Sequence, residues 1–181
     1  MPVVLDVGCG NRKKPGAIGI DFNPDTQADV IHDLNKFPYP FDTSFFDIII
    51  ADNVIEHLDD VVKVVEELHR ISKPHGQLII TVPYFRSKWA FIDPTHKHFF
   101  TSESFSYFDV NHIHHDLYSY SKIRTRINHL VFNENVRHSG ITKITSGIFA
   151  RIANRFPNWY DAHLGHIFPL DTLTFHLEIL K

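Results

Sequence analysis

Short apolar runs alternate with polar connectors over the first 82 residues, which is the pattern of parallel strands buried on both faces of a sheet. The predicted strands cover residues 3–7, 17–21, 30–32, 47–51 and 77–82. Between the last two strands the apolar positions follow a helical spacing and predict an amphipathic helix over 60–72. Asp59 or Asp60 can cap the start of this helix, and Pro74-His75-Gly76 stops it.

The end of the chain has a different pattern. A strand with one face exposed to water is predicted by the alternation of polar residues with Leu173, Phe175, Leu177 and Ile179. Residues 122–132 form a weaker strand candidate that would pair with it antiparallel. The expected fold is therefore α/β and three-layered, with a mostly parallel sheet and an antiparallel C-terminal edge strand.

The chain has 181 residues, which fits a single domain spanning 1–181. Its composition shifts once, because nine of the 25 residues from Tyr84 to Phe108 are aromatic, against 24 in the whole chain. We therefore expect an aromatic-rich insertion at about 84–120, and a second insertion at about 133–170 with a helix near 141–153. The aromatics either form a small satellite core around Trp89, Phe91 and Phe105 or cover a substrate.

Charge and cysteine content narrow the function classes. The 18 basic and 21 acidic residues give a formal charge of -3, which argues against a dedicated nucleic-acid binder, since neutralising phosphates needs a basic face. The single cysteine, Cys9, excludes an internal disulfide and fits a reducing compartment, so we expect a cytoplasmic protein. No apolar run approaches the roughly 18 residues of a spanning helix, so no membrane association is expected.

Three polar or glycine-rich points follow the first three predicted strands. The sequence Leu5-Asp6-Val7-Gly8-Cys9-Gly10 places glycines where a buried strand ends, and glycine lets the backbone approach a ligand closely. Asp21 ends the second strand, where a carboxylate can bind both ribose hydroxyls. Asp33-Leu34 closes the third strand. Ligands of such sheets bind beyond the carboxyl ends of the strands, so all three points fall on one rim.

A dinucleotide-dependent dehydrogenase uses the same architecture and is the first competitor. Its fingerprint needs a third glycine three residues after the second, but Lys13 occupies that position. The phosphate-binding GxxxxGK[ST] loop is also absent from the sequence. Hydride transfer with NAD is therefore disfavoured.

The residues from about 3 to 84 resemble the class I S-adenosylmethionine-dependent methyltransferases. Residues 5–10 are similar to the first motif of that family, 47–58 to its fourth-strand motif and 76–83 to its fifth strand. The segment Asp93-Pro94-Thr95-His96-Lys97-His98-Phe99-Phe100 resembles one in small methyltransferases of the methyltransferase-domain-11 type, which are often encoded near surface-saccharide genes. The resemblance implies a Rossmann-like methyltransferase sheet and S-adenosylmethionine as cofactor, bound by Asp6, Gly8, Cys9, Gly10, Asp21, Phe22, Asp33, Leu34, Asp52 and Asn53.

One departure from the family concerns the connector between the first two strands. Family members usually carry a full helix there, whereas here only residues 11–16 intervene, with Pro15 and Gly16 among them. Six residues of this kind allow a turn at most. The elements that cover the substrate must therefore come from later in the chain or from a partner subunit.

Methyl transfer from a sulfonium is an in-line displacement, so a base matters chiefly for an oxygen or protonated-amine acceptor. The predicted catalytic residues are His96, His57 and Asp93, with Asp93 orienting His96, while Glu56 is expected to be structural. Alternate histidines in His96-Lys97-His98 and His112-Ile113-His114 suggest a metal, but their spacing matches no standard site, so no metal is predicted.

The predicted function is methyl transfer to a small-molecule or saccharide-like acceptor. Nucleic-acid adenine methylation is disfavoured, because Asp52-Asn53-Val54-Ile55 stands where those enzymes carry a (D/N)PP(Y/F) motif. The alternatives are a non-catalytic protein that binds S-adenosylmethionine or S-adenosylhomocysteine, and a protein methyltransferase. We also predict a homodimer that covers part of the site, because residues 173–180 form an exposed edge that is apolar on one face.

Overall fold

A computed structural model describes residues 1–133 and 140–181. Its strands form one seven-stranded sheet. The strands are β1 (Val4–Val7), β2 (Ile18–Asp21), β3 (Val30–Ile31), β4 (Phe46–Asp52), β5 (Ser72–Pro83), β6 (Arg124–Phe132) and β7 (Thr172–Leu180). The helices are α1 (Val61–Ile71), α2 (Trp89–Ile92), α3 (Ile113–Tyr118), α4 (Gly140–Arg155) and α5 (Pro157–His163). Single 3-10 turns cover Ile55–His57 and Ser106–Phe108.

The strand order is β3-β2-β1-β4-β5-β7-β6. The first five strands in this order pair in parallel, whereas β7 pairs antiparallel with both β5 and β6. The predicted mostly parallel α/β sheet with an antiparallel end is thus confirmed. The edge of that end is β6 and not the C-terminal strand β7, which lies between two neighbours. The prediction that residues 173–180 form an exposed edge, on which the predicted homodimer rested, is therefore wrong.

Helix α1 forms as its sequence pattern predicts. Asp60 is its N-cap, because the Asp60 carboxylate accepts a hydrogen bond from the backbone N–H of Lys63, 3.0 Å away. Its buried stripe consists of Val64, Val65, Leu68 and Ile71. Strand β5 follows directly at Ser72, five residues earlier than predicted, because Ser72 pairs with Phe46 of β4 before the register shifts. The sequence Pro74-His75-Gly76 therefore lies inside the strand, and the prediction that it stops α1 is wrong, because the helix ends at Ile71.

The glycine loop after β1 needs glycine for a steric reason. Gly8 has a φ of +65°, and a Cβ built on it would lie 2.4 Å from Cγ2 of Val54. Gly10 also has a positive φ, of +50°, but a Cβ there meets no atom within 4 Å. The backbone therefore turns sharply beside open space at the rim of the sheet.

The aromatic insertion divides between core and surface. Tyr84, Phe100, Phe105 and Phe108 are buried in the main hydrophobic core, where the Phe105 ring lies 4.8 Å from that of Phe175 in β7. Trp89 and Phe91, by contrast, are 45% and 64% exposed. A satellite core around Trp89, Phe91 and Phe105 is thus wrong, since only Phe105 is buried and it joins the main core.

The second insertion contains α4 and α5, and the predicted helix at 141–153 lies within α4. Residues 134–139 of this insertion fall outside the described residues. In the part of the chain that the structure describes, no helix is both long and apolar enough to cross a bilayer.

Candidate functional site

The predicted cofactor residues lie at or just beyond the carboxyl ends of β1, β2, β3 and β4, which are neighbours in the sheet. The two oxygens of the Asp21 carboxylate accept hydrogen bonds from the backbone N–H groups of Gly10 and Asn23, each 2.9 Å away. Asp21 is buried, and its bond to Gly10 fixes the glycine loop against the second strand. Each of its oxygens keeps a lone pair that a hydroxyl group can use.

The short connector 11–16 folds across the ends of β1 and β4. The backbone N–H of Lys14 donates to the Asp6 carboxylate at 2.7 Å, and the Lys14 ammonium lies 2.9 Å from Oδ2 of Asp52. Burial raises the pKa of Asp6, although the Lys14 hydrogen bond and charge oppose the shift. The Asn53 amide donates to Oδ1 of Asp52 at 2.8 Å. Lys14 thus connects Asp6 with Asp52, a role that only its contacts in the structure reveal.

The remaining cofactor candidates differ in exposure. Cys9 and Leu34 are buried, whereas Phe22 is 72% exposed and presents its ring at the rim. Burial raises the pKa of the Cys9 thiol. The Asp33 carboxylate accepts a hydrogen bond from the backbone N–H of Asn35 at 3.0 Å and also lies near Lys36.

A cavity of about 1010 Å³ adjoins the ends of β4 and β5. The 3-10 turn Ile55–His57, the aromatic insertion and the second insertion all contribute to its wall. Its polar lining includes Asn53, Glu56, His57, Asp93 and His96. Arg12 and Lys88 add two cationic side chains to the lining, and Trp89, Phe149 and Phe168 add three aromatic rings. All three predicted catalytic residues thus face one cavity.

Glu56, His57 and His96 form a compact group in the cavity wall, with one ligand-type atom from each within 4.8 Å of the others. The His96 Nε2 atom lies 4.0 Å from Oε1 of Glu56, and the two imidazole centroids are 4.7 Å apart. Glu56 is fully buried, and neither carboxylate oxygen has a hydrogen-bond partner among the described residues. Burial raises the pKa of Glu56 to about 8.

Asp93 supports a different histidine from the one predicted. Oδ1 of Asp93 accepts a hydrogen bond from the Thr95 hydroxyl at 2.7 Å, and the same hydroxyl lies 2.8 Å from Nδ1 of His57. Nδ1 of His96 instead lies 3.0 Å from the carbonyl oxygen of Ala90. The prediction that Asp93 orients His96 is therefore wrong, because the backbone holds His96 and Asp93 reaches His57 through Thr95. Burial and the neighbouring His96 lower the pKa of His57.

The segment after Asp93 is fastened along the turn that carries Glu56. The Glu56 carbonyl oxygen accepts from the backbone N–H of Lys97 at 2.8 Å, and His98 Nε2 lies 2.8 Å from the carbonyl oxygen of Leu58. These contacts bring His96 to Glu56, 40 residues away in sequence, and to His57, 39 residues away. His96 and His98 therefore face different partners, so they do not act as the alternate pair that the sequence suggests.

Sequence comparison finds a family match in the first part of the chain. Residues 5–80 match the family described as Methyltransferase domain. No curated protein sequence matches the chain. The matched segment contains the glycine loop, Asp21 and the Glu56-His57 turn, and it ends before the aromatic insertion.

Solved structures share the fold over nearly the whole chain. A SAM-dependent methyltransferase from Archaeoglobus fulgidus is 18% identical with a TM-score of 0.58, covering 98% of this chain and 86% of that one. The complex between the Haloferax volcanii Trm112 methyltransferase activator and a methyltransferase gives 17% identity and a TM-score of 0.58, with coverages of 98% and 82%. The [4+2]-cyclase SpnF gives 15% identity and a TM-score of 0.59, with coverages of 99% and 75%. These structures confirm the class I methyltransferase fold.

Proposed function

We propose that this chain, which carries an S-adenosylmethionine-dependent methyltransferase domain with the class I fold, methylates a small-molecule acceptor held in the cavity beside His57 and His96. S-adenosylmethionine is the cofactor of that domain, and its sulfonium supplies the methyl group. The observation that carries the proposal is the cavity of about 1010 Å³ where β4 and β5 end, with two imidazoles facing it.

The residues at the rim fit the cofactor. The backbone beside Gly10 leaves open space, and the adjoining Asp21 carboxylate has spare lone pairs for the ribose hydroxyls. We assign the adenine side to Phe22 and to Asp33-Leu34, since Phe22 is exposed and offers a ring face. The methionine end would lie over the Gly8–Gly10 loop and reach Asp52 and Asn53, of which Asn53 also lines the cavity.

Two imidazole nitrogens can hold the acceptor. Nδ1 of His96 faces a backbone carbonyl, and Nδ1 of His57 faces the Thr95 hydroxyl, so both rings keep Nε2 for the cavity. An Nε2 lone pair can accept a hydrogen bond from an acceptor O–H or N–H and take its proton during transfer. Asp93 is a positioning residue here, because it acts on His57 through Thr95.

The cavity wall favours a hydroxylated acceptor with a flat face. Trp89 offers a partly exposed ring on which a sugar or aromatic ring can pack, and Phe149 and Phe168 line the cavity as well. Arg12 and Lys88 add positive charge to the same wall. We therefore favour a saccharide-like or other small hydroxylated acceptor, including an anionic one.

The test is a screen of candidate acceptors with cofactor carrying an isotopically labelled methyl group, followed by His96→Asn. We expect this variant to bind S-adenosylhomocysteine within about twofold of the wild type and to transfer methyl groups at least about a hundredfold more slowly. His75→Asn is the matched control, since His75 is exposed, contacts Glu178 and lies outside the cavity lining, and it should transfer at a nearly unchanged rate. Intact transfer by His96→Asn with lost stability would contradict the role of His96.

Two alternatives make different predictions in the same screen. SpnF, which shares the fold at a TM-score of 0.59, is a [4+2]-cyclase. The fold by itself therefore does not determine the reaction. Tight binding of the cofactor without transfer to any acceptor would identify a non-catalytic binding protein. Labelling of a protein substrate alone would identify a protein methyltransferase.

We place the protein in the cytoplasm, because its single cysteine is free and fits a reducing compartment. Measuring the distribution of the tagged full chain between cell fractions tests this assignment.

A further inference from the structure

The carboxylate of Glu56 lacks the partners that a buried acid normally has. It is fully buried, and within the described residues neither oxygen accepts a hydrogen bond. Buried polar groups are nearly always satisfied, so an unpartnered carboxylate calls for a proton or a cation beside it. Its surroundings decide which of the two it has.

Two imidazoles lie beside Glu56: Nε2 of His96 is 4.0 Å from Oε1, and His57 brings a ring nitrogen to within 4.8 Å of the other two ligand-type atoms. Nδ1 of His96 lies 3.0 Å from the Ala90 carbonyl oxygen, which only accepts, so the ring hydrogen is on Nδ1 and Nε2 carries a lone pair. The Thr95 hydroxyl donates to Asp93, so it accepts from Nδ1 of His57, and Nε2 of His57 carries a lone pair as well. Neither imidazole therefore presents a donor to Glu56, and a proton on the Glu56 carboxyl group is not shared with His96, because Nε2 of His96 lies 4.0 Å from Oε1.

We propose that Glu56, His57 and His96 bind one divalent transition-metal ion, such as Mn²⁺, Fe²⁺ or Zn²⁺. Two imidazoles and one carboxylate are a standard ligand set for such ions, and they leave coordination positions open. The three ligand-type atoms lie within 4.8 Å of one another. Bonds of about 2.0–2.2 Å to one ion hold two ligand atoms no more than about 4.4 Å apart, so the group contracts slightly on binding.

The outer contacts of both histidines support this assignment. Histidine ligands of metals almost always donate their other ring N–H to a backbone carbonyl, a carboxylate or a water, which fixes the tautomer and the ring orientation. His96 meets this requirement through Ala90, and His57 meets it through the Thr95 hydroxyl and Asp93. Backbone bonds from Lys97 and His98 to the Glu56 carbonyl oxygen hold the two segments together.

The open positions of the ion would face the cavity that these three residues line. If the chain transfers methyl groups as proposed above, an acceptor oxygen bound there would contact the ion instead of the two Nε2 atoms. Because His96→Asn slows transfer in either arrangement, the metal site must be tested by binding of the ion itself.

The experiment titrates the chelator-treated full chain with Mn²⁺ and follows free Mn²⁺ by electron paramagnetic resonance. Mn²⁺ is suited to a protein with 14 histidines, because isolated surface imidazoles bind it less tightly than they bind Zn²⁺. We expect one tight site per chain, weakened at least about tenfold by Glu56→Gln and by His57→Asn. Glu103→Gln is the matched control, since Glu103 lies 3.8 Å from His112 in a histidine-rich region outside the cavity, and it should leave the affinity unchanged.

Calorimetry with S-adenosylhomocysteine on the same variants shows whether they fold and separates the two proposals. Cofactor binding without a stoichiometric Mn²⁺ site, or Mn²⁺ affinity that is equal in all variants, overturns the metal site and leaves the methyl transfer standing. A Mn²⁺ site that depends on Glu56 and His57 in a chain that binds no S-adenosylhomocysteine supports the metal site and contradicts the proposed transfer.

Discussion

Asp21 has two tasks at the residue scale. Its carboxylate organises the glycine loop by accepting hydrogen bonds from the backbone N–H groups of Gly10 and Asn23. The same oxygens are the atoms that we assign to the ribose hydroxyls. A substitution at this position therefore changes both the ligand contacts and the backbone that surrounds the ligand.

We predict that Asp21→Ala weakens S-adenosylhomocysteine binding at least about tenfold by calorimetry, because charge-assisted hydrogen bonds contribute roughly 1.5–3 kcal/mol each. The variant should still fold, with a lower melting temperature, since two backbone N–H groups lose their acceptor. Asp21→Asn keeps one acceptor oxygen, so its affinity and its melting temperature should both lie between those of the wild type and those of Asp21→Ala. Unchanged affinity in Asp21→Ala would remove this residue from the cofactor site.

Gly8 and Gly10 share a positive φ but differ in their surroundings. Gly8→Ala places a methyl group against Val54, whereas Gly10→Ala meets no atom within 4 Å. We predict that denaturant unfolding gives a loss of about 1–2 kcal/mol for Gly10→Ala, from backbone strain alone. Gly8→Ala should lose about 1–3 kcal/mol more, from overpacking. Equal losses in the two variants would mean that Val54 moves aside at little cost.

At the scale of the element, α1 offers a test of helix capping. The sequence leaves Asp59 and Asp60 as alternative N-caps, and the structure selects Asp60, whose carboxylate accepts from Lys63 N–H. This hydrogen bond lowers the pKa of Asp60 in the folded protein. The ionised carboxylate therefore contributes to stability above the pKa that Asp60 has in the unfolded chain, and this contribution is lost as the pH falls through the pKa of the folded state.

We predict that Asp60→Ala lowers the free energy of unfolding by about 1 kcal/mol at neutral pH, the usual effect of losing an N-cap. The difference from the wild type should shrink as the pH falls below about 4, where the carboxyl group becomes protonated. Asp60→Asn keeps a capping oxygen and should lose less at neutral pH. A deficit in Asp60→Ala that is the same at pH 7 and pH 3 would contradict the capping role.

The elements were more predictable from the sequence than the contacts between them. Alternation and helical spacing located the strands and α1, because burial in a sheet or against a helix imposes a period on the sequence. The position of β7 inside the sheet was not predictable in this way, since an apolar face is needed at an edge and in the interior alike. Likewise, Glu56 and His96 each carry a local signal, but only the backbone pairing of Lys97 with Glu56 brings them together.

At the scale of the whole molecule, the two insertions replace what the short connector 11–16 cannot provide. The connector folds into a turn held by Asp6 and Asp52, so no helix covers the cofactor rim between β1 and β2. The cavity wall instead comes from the aromatic insertion and from α4 with the segment that precedes β7. The second insertion also carries exposed apolar side chains in α4, in α5 and in the segments that follow them, among them Ile148, Phe156, Trp159, Ile167 and Phe168.

The last prediction concerns association of two chains through that apolar surface. Strand β6 is a poor edge for pairing because it carries Arg124 and Arg126, so the predicted homodimer must use another face. The exposed residues of 148–168 include Ile167 and Phe168, which line the cavity, so a second copy packed there would cover part of the site. Light scattering should give twice the 21.0 kDa of one chain for the wild type and for the control Tyr120→Ser, and one chain for Trp159→Ser. A wild-type monomer at high micromolar concentration would contradict the homodimer.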